Sequence, residues 1–516
     1  MQLQVLILVA LVLMEKRVPG EWQASPLAAL ACVTLPAFGA LIVQWLAVRR
    51  AEHRLDGRHH SQGEGGVEAA IRAERAGTVV GWAAIIGLGV ATLGFGWLAS
   101  IRAVIGNWPA IDEIVALAPP LLAIAASWWV HEPLERRIRD ASLISRIDRG
   151  LTVPPVPTRA AFVVERFRSH VLLMLAPILV VLALGEILTP RVGGWVAVTL
   201  GPDWSDWATE LTLVGCAAAT YLVSPLIARL VLALRPLPVG ELRDDLLEVC
   251  ARAGVRVSEV LLWDTRHATV NGAVMGVTPW LRYVMLTDAL LEVLPRNELR
   301  AVMAHEIGHV RRRHLPWMLG CIIVLLIGSA AFVEWPLGVV LERLPLATWS
   351  AEELEMLGAW VARVATIAAT VVALVGFGWV SRRFERQADT FAVQYLSRAS
   401  GNSAVTTDAV LAMRGALASV ASHAGVDPRH HSWRHGSIHW RRTYLAGLVG
   451  RPLDRLPIDR TVRRLKLATV LGLGAAVWLL LREAAVDRDR YDHPVTLRGS
   501  VPSNLTLEVT SDECVS

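Results

Sequence analysis

The chain has 516 residues, of which 54% are hydrophobic and 19% are charged, and its formal net charge is +5. This composition is more apolar than that of a soluble enzyme, and the length suggests two or three folded units. A purely soluble protein is therefore disfavoured, and we expect a lipid bilayer rather than a nucleic acid as a partner.

Long apolar runs recur along the chain. A hydrocarbon core of about 30 Å needs roughly 20 apolar residues in a helix, and runs near this length predict membrane spans. A shorter run, Leu3–Met14, lacks the basic segment of a removable signal peptide and is interpreted as a short or partly interfacial span. The longer runs are Pro26–Val48, Val79–Ser100, Ile111–Val130, Val171–Leu188, Leu211–Leu234, Trp317–Leu341, Ala359–Val380 and Lys466–Leu481.

The loops between these runs alternate in charge. Arginines cluster after the first and third long runs, whereas the loops after the fourth and sixth runs are mostly acidic. The positive-inside rule then predicts nine spans with the N-terminus in the cytoplasm. The long polar stretches Arg235–Pro316 and Ser381–Leu465 would also face the cytoplasm. The abundance of arginine over lysine suggests a bacterial source, and therefore a bacterial plasma membrane.

Two further features have ordinary structural explanations. Glu186 and Arg229 lie near the ends of predicted spans, where such side chains usually reach towards the membrane surface. The five cysteines form no Cys-x-x-Cys pair, which favours buried apolar thiols over disulfides or metal ligands.

A metal-binding motif lies in the first long polar stretch. Pro295 to Arg313 is predicted to form one helix, which Pro316 would end. Residues four apart share a helix face, so His305 and His309 can bind one zinc ion together. Glu306 follows the first ligand and can act as a general base towards water at the metal.

Catalytic zinc usually has three protein ligands and one open position. The spacing typical of a third histidine in metzincins is absent after His309. Glu385 is a candidate third ligand, although it can also be a surface acid among arginines. Asp389 lies four residues later on the same predicted helix face, where it could accept a hydrogen bond from a zinc-binding histidine and orient it.

The motifs resemble those of one family of membrane-embedded zinc metallopeptidases, the gluzincins that include the bacterial HtpX protease and the CaaX prenyl endopeptidase. The resemblance covers about 241–445. It rests on the segments His305–His309 and Phe384–Asp389, the upstream segments Val270–Ala273 and Arg282–Leu291, and the downstream segment His435–Arg441.

The resemblance implies a ligand set and a catalytic base. His305, His309 and Glu385 would bind one zinc ion per chain, and Glu306 would be the base.

Two downstream residues also gain roles from the resemblance. His435 would stabilise the oxyanion, and Arg441 would orient His435 or the substrate. Gly436 replaces the proline that is usual in this family, which leaves the local backbone open. His435 can also be read as one of several loop histidines.

Together these features predict a mainly α-helical, multi-pass membrane protein, whose zincin-like α+β catalytic domain is interrupted by a transmembrane helical hairpin. The predicted regions are an N-terminal multi-span region (1–236), the first catalytic part with strands and zinc helix (237–316), the hairpin (317–380), the second catalytic part (381–465), and a last span with a C-terminal tail (466–516).

The segment Val255–Leu286 is predicted to form strands, with Thr287 capping the next helix. An exposed edge strand there could bind an extended peptide by backbone pairing. Asn271 could contribute to that binding, or it could be an ordinary turn residue.

We expect a zinc endopeptidase that cleaves membrane or membrane-associated polypeptides at the cytoplasmic face, as in protein quality control. Two alternatives remain: a CaaX-type processing protease, and a non-proteolytic scaffold or transport accessory with a structural zinc site. The second is disfavoured, because a structural site usually has four protein ligands and needs no base such as Glu306.

Overall fold

The computed structural model of the protein describes residues 26–492, except 57–62, 149, 151–152, 154, 342, 344–348 and 424–425, together with residues 4, 7–9 and 11–12. Most of the predicted short span at Leu3–Met14 and the tail beyond Asp492 therefore lie outside the described residues. The chain divides into two compact units. The first comprises the residues up to Arg312, Ala388–His431 and Ser437–Arg455, and the second comprises Arg313–Gln387, Ser432–Gly436 and the residues from Leu456.

The first 231 residues contribute helices to the first unit. These are α1 (Pro26–Asp56), α2 (Gly63–Phe95), α3 (Trp97–Ile105), α4 (Ile111–Asp148), α5 (Arg159–Phe167), α6 (Leu173–Leu200) and α7 (Ser205–Val231), with a π-helical turn (Arg168–Leu172) between α5 and α6.

Long apolar helices confirm a multi-pass membrane protein. Among the described residues, 7 helices are long and apolar enough to cross a membrane. They overlap the first seven of the long runs that the sequence predicts. The eighth run, Lys466–Leu481, is helical as well, but its helix is not among those seven.

The second predicted span is wrong at its end. Val79–Ser100 is not one helix, because Gly96 adopts a left-handed backbone with φ 59° and separates α2 from α3. The next residues turn back, and Arg102 on α3 pairs with the buried carboxylates of Asp112 and Glu113 on α4.

A four-stranded sheet follows α7 in the first unit. The strand order is β1-β2-β4-β3, with β2 and β4 parallel and the outer strands antiparallel to their neighbours. The predicted strands are thereby confirmed, and so is the cap at Thr287, whose side chain accepts the N–H of Leu290. The strands are β1 (Arg235–Pro236), β2 (Glu259–Trp263), β3 (Gly272–Met275) and β4 (Tyr283–Thr287).

The remaining helices carry the metal-binding motif and its surroundings. They are α8 (Glu241–Arg252), α9 (Asp288–Val293), α10 (Arg296–Arg311), α11 (His314–Leu341), α12 (Ala351–Ala399), α13 (Thr407–His423), α14 (Ile438–Ala446) and α15 (Pro457–Asp492). The helices α11 and α12 include the two predicted spans Trp317–Leu341 and Ala359–Val380, which follow the zinc helix α10 in the chain.

The boundaries of α10 differ from the prediction. Pro295 has an extended backbone and precedes the helix, which ends at Arg311. Arg313 has a left-handed backbone with φ 55°, which an α-helix cannot continue through. Pro316 therefore does not end α10; it lies in the first turn of α11, where a proline is tolerated.

A partly buried carboxylate, that of Asp288, organises the loop that leads into β3. Asp288 accepts hydrogen bonds from the backbone N–H and hydroxyl of Thr265, at 3.0 and 2.6 Å, and from the N–H of His267 at 2.7 Å. Arg266 and His267 both have left-handed backbones, which are strained for residues other than glycine. Asp288 thus offsets the strain of this loop. Burial alone would raise the pKa of Asp288, but these hydrogen bonds hold it below the ordinary value of 3.8.

We expect Asp288→Asn to lower the free energy of unfolding by about 2 kcal/mol near pH 7, because charged acceptors make the stronger hydrogen bonds. A depressed pKa contributes stability above the ordinary value, and this contribution disappears as the pH falls through the folded-state pKa. The difference between wild type and Asp288→Asn, measured by thermal unfolding from pH 7 to pH 3, should therefore shrink below about pH 4. The exposed Asp454→Asn is the control, and a pH-independent difference would contradict the assignment.

Candidate metal centre

The zinc helix α10 presents both histidines of the motif on one face. The Nε2 atoms of His305 and His309 are 3.2 Å apart. His305 is buried and His309 is partly buried, since Leu299, Met303 and Ile307 of the same helix pack into the core.

The other ring nitrogen of His305 contacts a fully buried acid. Its Nδ1 atom lies 2.9 Å from Oδ1 of Asp389, which has no exposed surface. Arg441 of α14 donates two hydrogen bonds to the same carboxylate, from Nε at 2.7 Å and from Nη2 at 2.6 Å. An Nδ1–H that donates to Asp389 leaves the Nε2 lone pair of His305 available to a metal.

Glu385 lies one turn before Asp389 on the continuous helix α12 and therefore on the same side of that helix. One donor atom from each of His305, His309 and Glu385 lies within 4.8 Å of the others. The sequence-predicted ligands are thus brought together in a possible His-His-Glu metal site.

The donors fit a zinc ion in number and in chemistry. Zinc–nitrogen bonds of 2.0–2.1 Å at tetrahedral angles put two ring nitrogens about 3.3 Å apart. The separation of 3.2 Å between the two Nε2 atoms matches this value. Two imidazoles and one carboxylate leave one coordination position open, as in catalytic zinc sites.

Glu306 is held at the edge strand of the sheet. Its Oε2 atom accepts the N–H of Val274 on β3 at 3.1 Å. Because β3 is the last strand of the sheet, its outer backbone edge is where an added strand would pair. The carboxylate of Glu306 and this edge are therefore adjacent.

His435 lies beside the third candidate ligand. Its Nδ1 atom is 3.1 Å from Oε1 of Glu385, and about half of its side chain is exposed. Ser432 and Gly436 pair across the tight turn that carries His435. Gly436 has φ 74°, a conformation that proline cannot adopt. A proline at position 436 would therefore require a different backbone at this turn.

The two predicted substrate-binding residues, Asn271 and Arg441, both make contacts within the protein. The backbone of Asn271 is bonded to Thr287, through its N–H at 2.9 Å and its carbonyl at 3.0 Å, which fixes the entry to β3. Arg441 lies on Asp389 and is itself buried.

Two contacts of the site were not predicted from the sequence: the hydrogen bond from Val274 to Glu306 and the ion pair of Arg441 with Asp389. The first involves a backbone N–H, which a motif does not reveal. The second joins residues 52 positions apart, although an acid that is expected to be buried does signal the need for a cation.

A glycine within the motif sets how closely two helices of the first unit approach. A Cβ atom added at Gly308 would lie 3.0–3.2 Å from atoms of the Phe391 side chain on α12. This is tighter than ordinary contact, so the absence of a side chain at position 308 permits the observed packing.

We expect Arg441→Lys to keep the protein folded but to weaken zinc binding by about 10–100-fold, because lysine cannot reproduce the two-pronged hydrogen bond that orients Asp389 and His305. Arg441→Gln leaves a buried charge unpaired and should lower the free energy of unfolding by about 3–5 kcal/mol.

Competition with a chelator gives the zinc affinity, and thermal unfolding gives the stability. The exposed Arg455→Gln is the control. Unchanged zinc affinity in a folded Arg441→Lys protein would show that Arg441 does not act through the metal ligands.

Comparisons with known proteins cover the part of the chain that contains His305, His309, Glu385 and Asp389. Residues 236–424 match the model of peptidase family M48. A protease HtpX homolog of Aeropyrum pernix is 29% identical over 164 residues, which are 29% of this chain and 50% of that protein. A CAAX prenyl protease 1 homolog of Arabidopsis thaliana is 25% identical over 190 residues, which are 36% of this chain and 42% of that protein.

The chain thus spans about half the length of the curated relatives it matches. The crystal structure of S. mikatae Ste24p is similar with a TM-score of 0.41 and 15% identity, over 85% of this chain and 98% of that one. Residues 236–424 are therefore similar to peptidase family M48, and the similar proteins include HtpX and CAAX prenyl protease homologs.

Proposed function

We propose that the protein is a membrane-embedded, zinc-dependent endopeptidase that hydrolyses peptide bonds of membrane or membrane-associated proteins. The observation that carries this proposal is the placement of Glu306 next to two histidine donors and against the outer strand of the sheet. A structural metal site has no need for a carboxylate in that position, which favours catalysis over a scaffold.

The proposed metal is one zinc ion per chain, held by His305, His309 and Glu385. When bound, zinc supplies Lewis acidity that lowers the pKa of a water molecule and polarises a carbonyl. Asp389 keeps the Nδ1 proton on His305 and holds the ring in its orientation, with Arg441 neutralising the buried charge.

Glu306 performs the proton transfers in this proposal. Its carboxylate accepts a proton from the attacking water and then delivers that proton to the nitrogen of the leaving amine. The extended substrate pairs with the outer edge of β3, which sets its carbonyl near Glu306. Asn271 helps to bind the substrate main chain at the entry to the strand.

His435 is the proposed donor to the oxygen of the attacked carbonyl, where negative charge develops. Its exposed side chain and its contact with Glu385 support this role.

We further propose that the site faces the cytoplasm of a bacterial cell, where the enzyme removes damaged membrane proteins. The arginine-rich loops on the same predicted side as the catalytic parts support this orientation. A CAAX-type processing role is a second candidate, supported by the similarity to the Arabidopsis thaliana CAAX prenyl protease 1 homolog.

We expect Glu306→Gln to reduce cleavage by about 10²–10⁴-fold while zinc stays bound, because the substitution removes the proton acceptor but no ligand. Glu385→Ala should lose both zinc and activity. Casein cleavage and metal content of the detergent-purified protein measure the two effects, with the exposed Glu241→Gln as the control. Full activity of Glu306→Gln would contradict the mechanism, and bound zinc without any Glu306-dependent cleavage would favour a structural site.

The proposed topology predicts that reporter fusions after Arg168 and after Arg343 lie on opposite sides of the membrane. The three spanning helices α6, α7 and α11 separate these positions, and an odd number of crossings changes the side. Alkaline phosphatase and fluorescent-protein fusions at both positions measure the sides. A cytoplasmic reporter after Arg168 is expected, and the same side for both positions would refute this topology.

A further inference from the structure

The sheet of the first unit lies directly on the ends of two membrane spans. Leu261 of β2 and Met285 of β4 belong to one buried cluster with Val231 and Leu232 at the end of α7. Residues at the start of α6 and on β3 pack against the same cluster. These partly buried residues are Leu172, Leu173, Ala176, Ala273 and Met275.

The opposite face of the sheet faces the zinc helix. Alternate residues of a strand point to opposite faces. A Cβ atom at Gly272 of β3 would contact Leu286 of β4 and Val302 of α10, while Ala273 and Met275 point towards the spans. The sheet is therefore the middle layer between the span ends and the zinc helix.

Charged contacts mark where these two spans leave the membrane. Arg168, just before the apolar part of α6, donates to the carbonyl of Val231 at 2.6 Å. Arg229, near the end of α7, pairs with Glu259 of β2 at 3.1 Å and lies over the ring of Tyr283. Arginines at span ends are typical of the headgroup level of a bilayer.

Trp280 lies in the turn between β3 and β4, next to α7. It is 71% exposed, although a tryptophan of a soluble surface is usually more covered. The turn is tight, since a Cβ atom at Gly276 would collide with the carbonyl of Leu281. An exposed tryptophan beside the end of a span, with arginines nearby, matches the aromatic belt at a membrane surface.

The spacing between packed layers limits how far from its membrane span a substrate can be cleaved. Packed layers lie about 10 Å apart, so β3 is about one layer above the ends of the spans. An extended chain rises about 3.3 Å per residue, so about three residues climb this distance and a few more pair along the strand. A bond near Glu306 would then be about 5–10 residues from the end of the substrate's own span.

We propose that β3 binds the juxtamembrane segment of a membrane-anchored polypeptide in an extended conformation, with Trp280 among the lipid headgroups. This inference rests on the proposed peptidase function and specifies its substrate class. The site takes segments that emerge from the bilayer close by, rather than segments held far from it.

The test uses the full chain in liposomes with three substrates that share one casein-derived cleavable sequence. In the first, this sequence directly follows a single membrane span. In the second, a rigid helical spacer of about 20 residues holds it about 30 Å from the membrane. The third is the free peptide. We expect the first to be cleaved at least about 10-fold faster than the second, since its effective concentration at the strand is far higher.

Variants separate the membrane contact from the chemistry. Trp280→Ser should slow cleavage of the directly attached substrate several-fold, whereas Trp195→Ser, an exposed tryptophan elsewhere on α6, should not. A brominated-lipid quenching difference between wild type and Trp280→Ser gives a readout without turnover.

The outcomes distinguish the two levels of the proposal. Equal or faster cleavage of the spaced substrate would overturn the juxtamembrane assignment while leaving the peptidase function intact. Identical quenching and cleavage in Trp280→Ser and wild type would remove Trp280 from the membrane contact. Absence of Glu306-dependent cleavage of all three substrates would refute the proposed function itself.

Discussion

The carboxylate of Asp389 has no exposed surface, accepts two hydrogen bonds from Arg441 and lies 2.9 Å from a ring nitrogen of His305. A buried charge costs several kcal/mol unless it is paired and hydrogen-bonded. The pairing therefore fixes α10, α12 and α14 together, since each contributes one of the three residues. The orientation of the His305 ring, and with it the direction of its second nitrogen, depends on this arrangement.

Local sequence patterns predicted most of this region. The helical repeat placed His305 beside His309 and Glu385 one turn before Asp389, because each pair lies within a single helix. Contacts made over long distances in the chain were not predictable in the same way. The ion pair of Arg441 and the hydrogen bond from Val274 to Glu306 depend on how separate elements pack.

Two predicted helix ends were wrong, because the sequence does not reveal a left-handed backbone conformation. Gly96 divides a continuous apolar run with its left-handed backbone, which a hydropathy pattern cannot predict. The end of the zinc helix was assigned to Pro316. The helix instead ends at Arg311, shortly before Arg313, whose left-handed backbone is rare for arginine. The approximate positions of the seven long apolar helices among the described residues were predictable, because a bilayer requires about 20 apolar residues of any helix that crosses it.

Gly308 has a consequence for the contact between Asp389 and His305. Its missing side chain lets α10 lie against Phe391, only two residues beyond Asp389 on α12. An added methyl group would need a shift of a few tenths of an ångström between the two helices. The contact of 2.9 Å between His305 and Asp389 joins the same two helices. A larger residue at position 308 would therefore loosen the contact that orients the His305 ring, with both contacting residues unchanged.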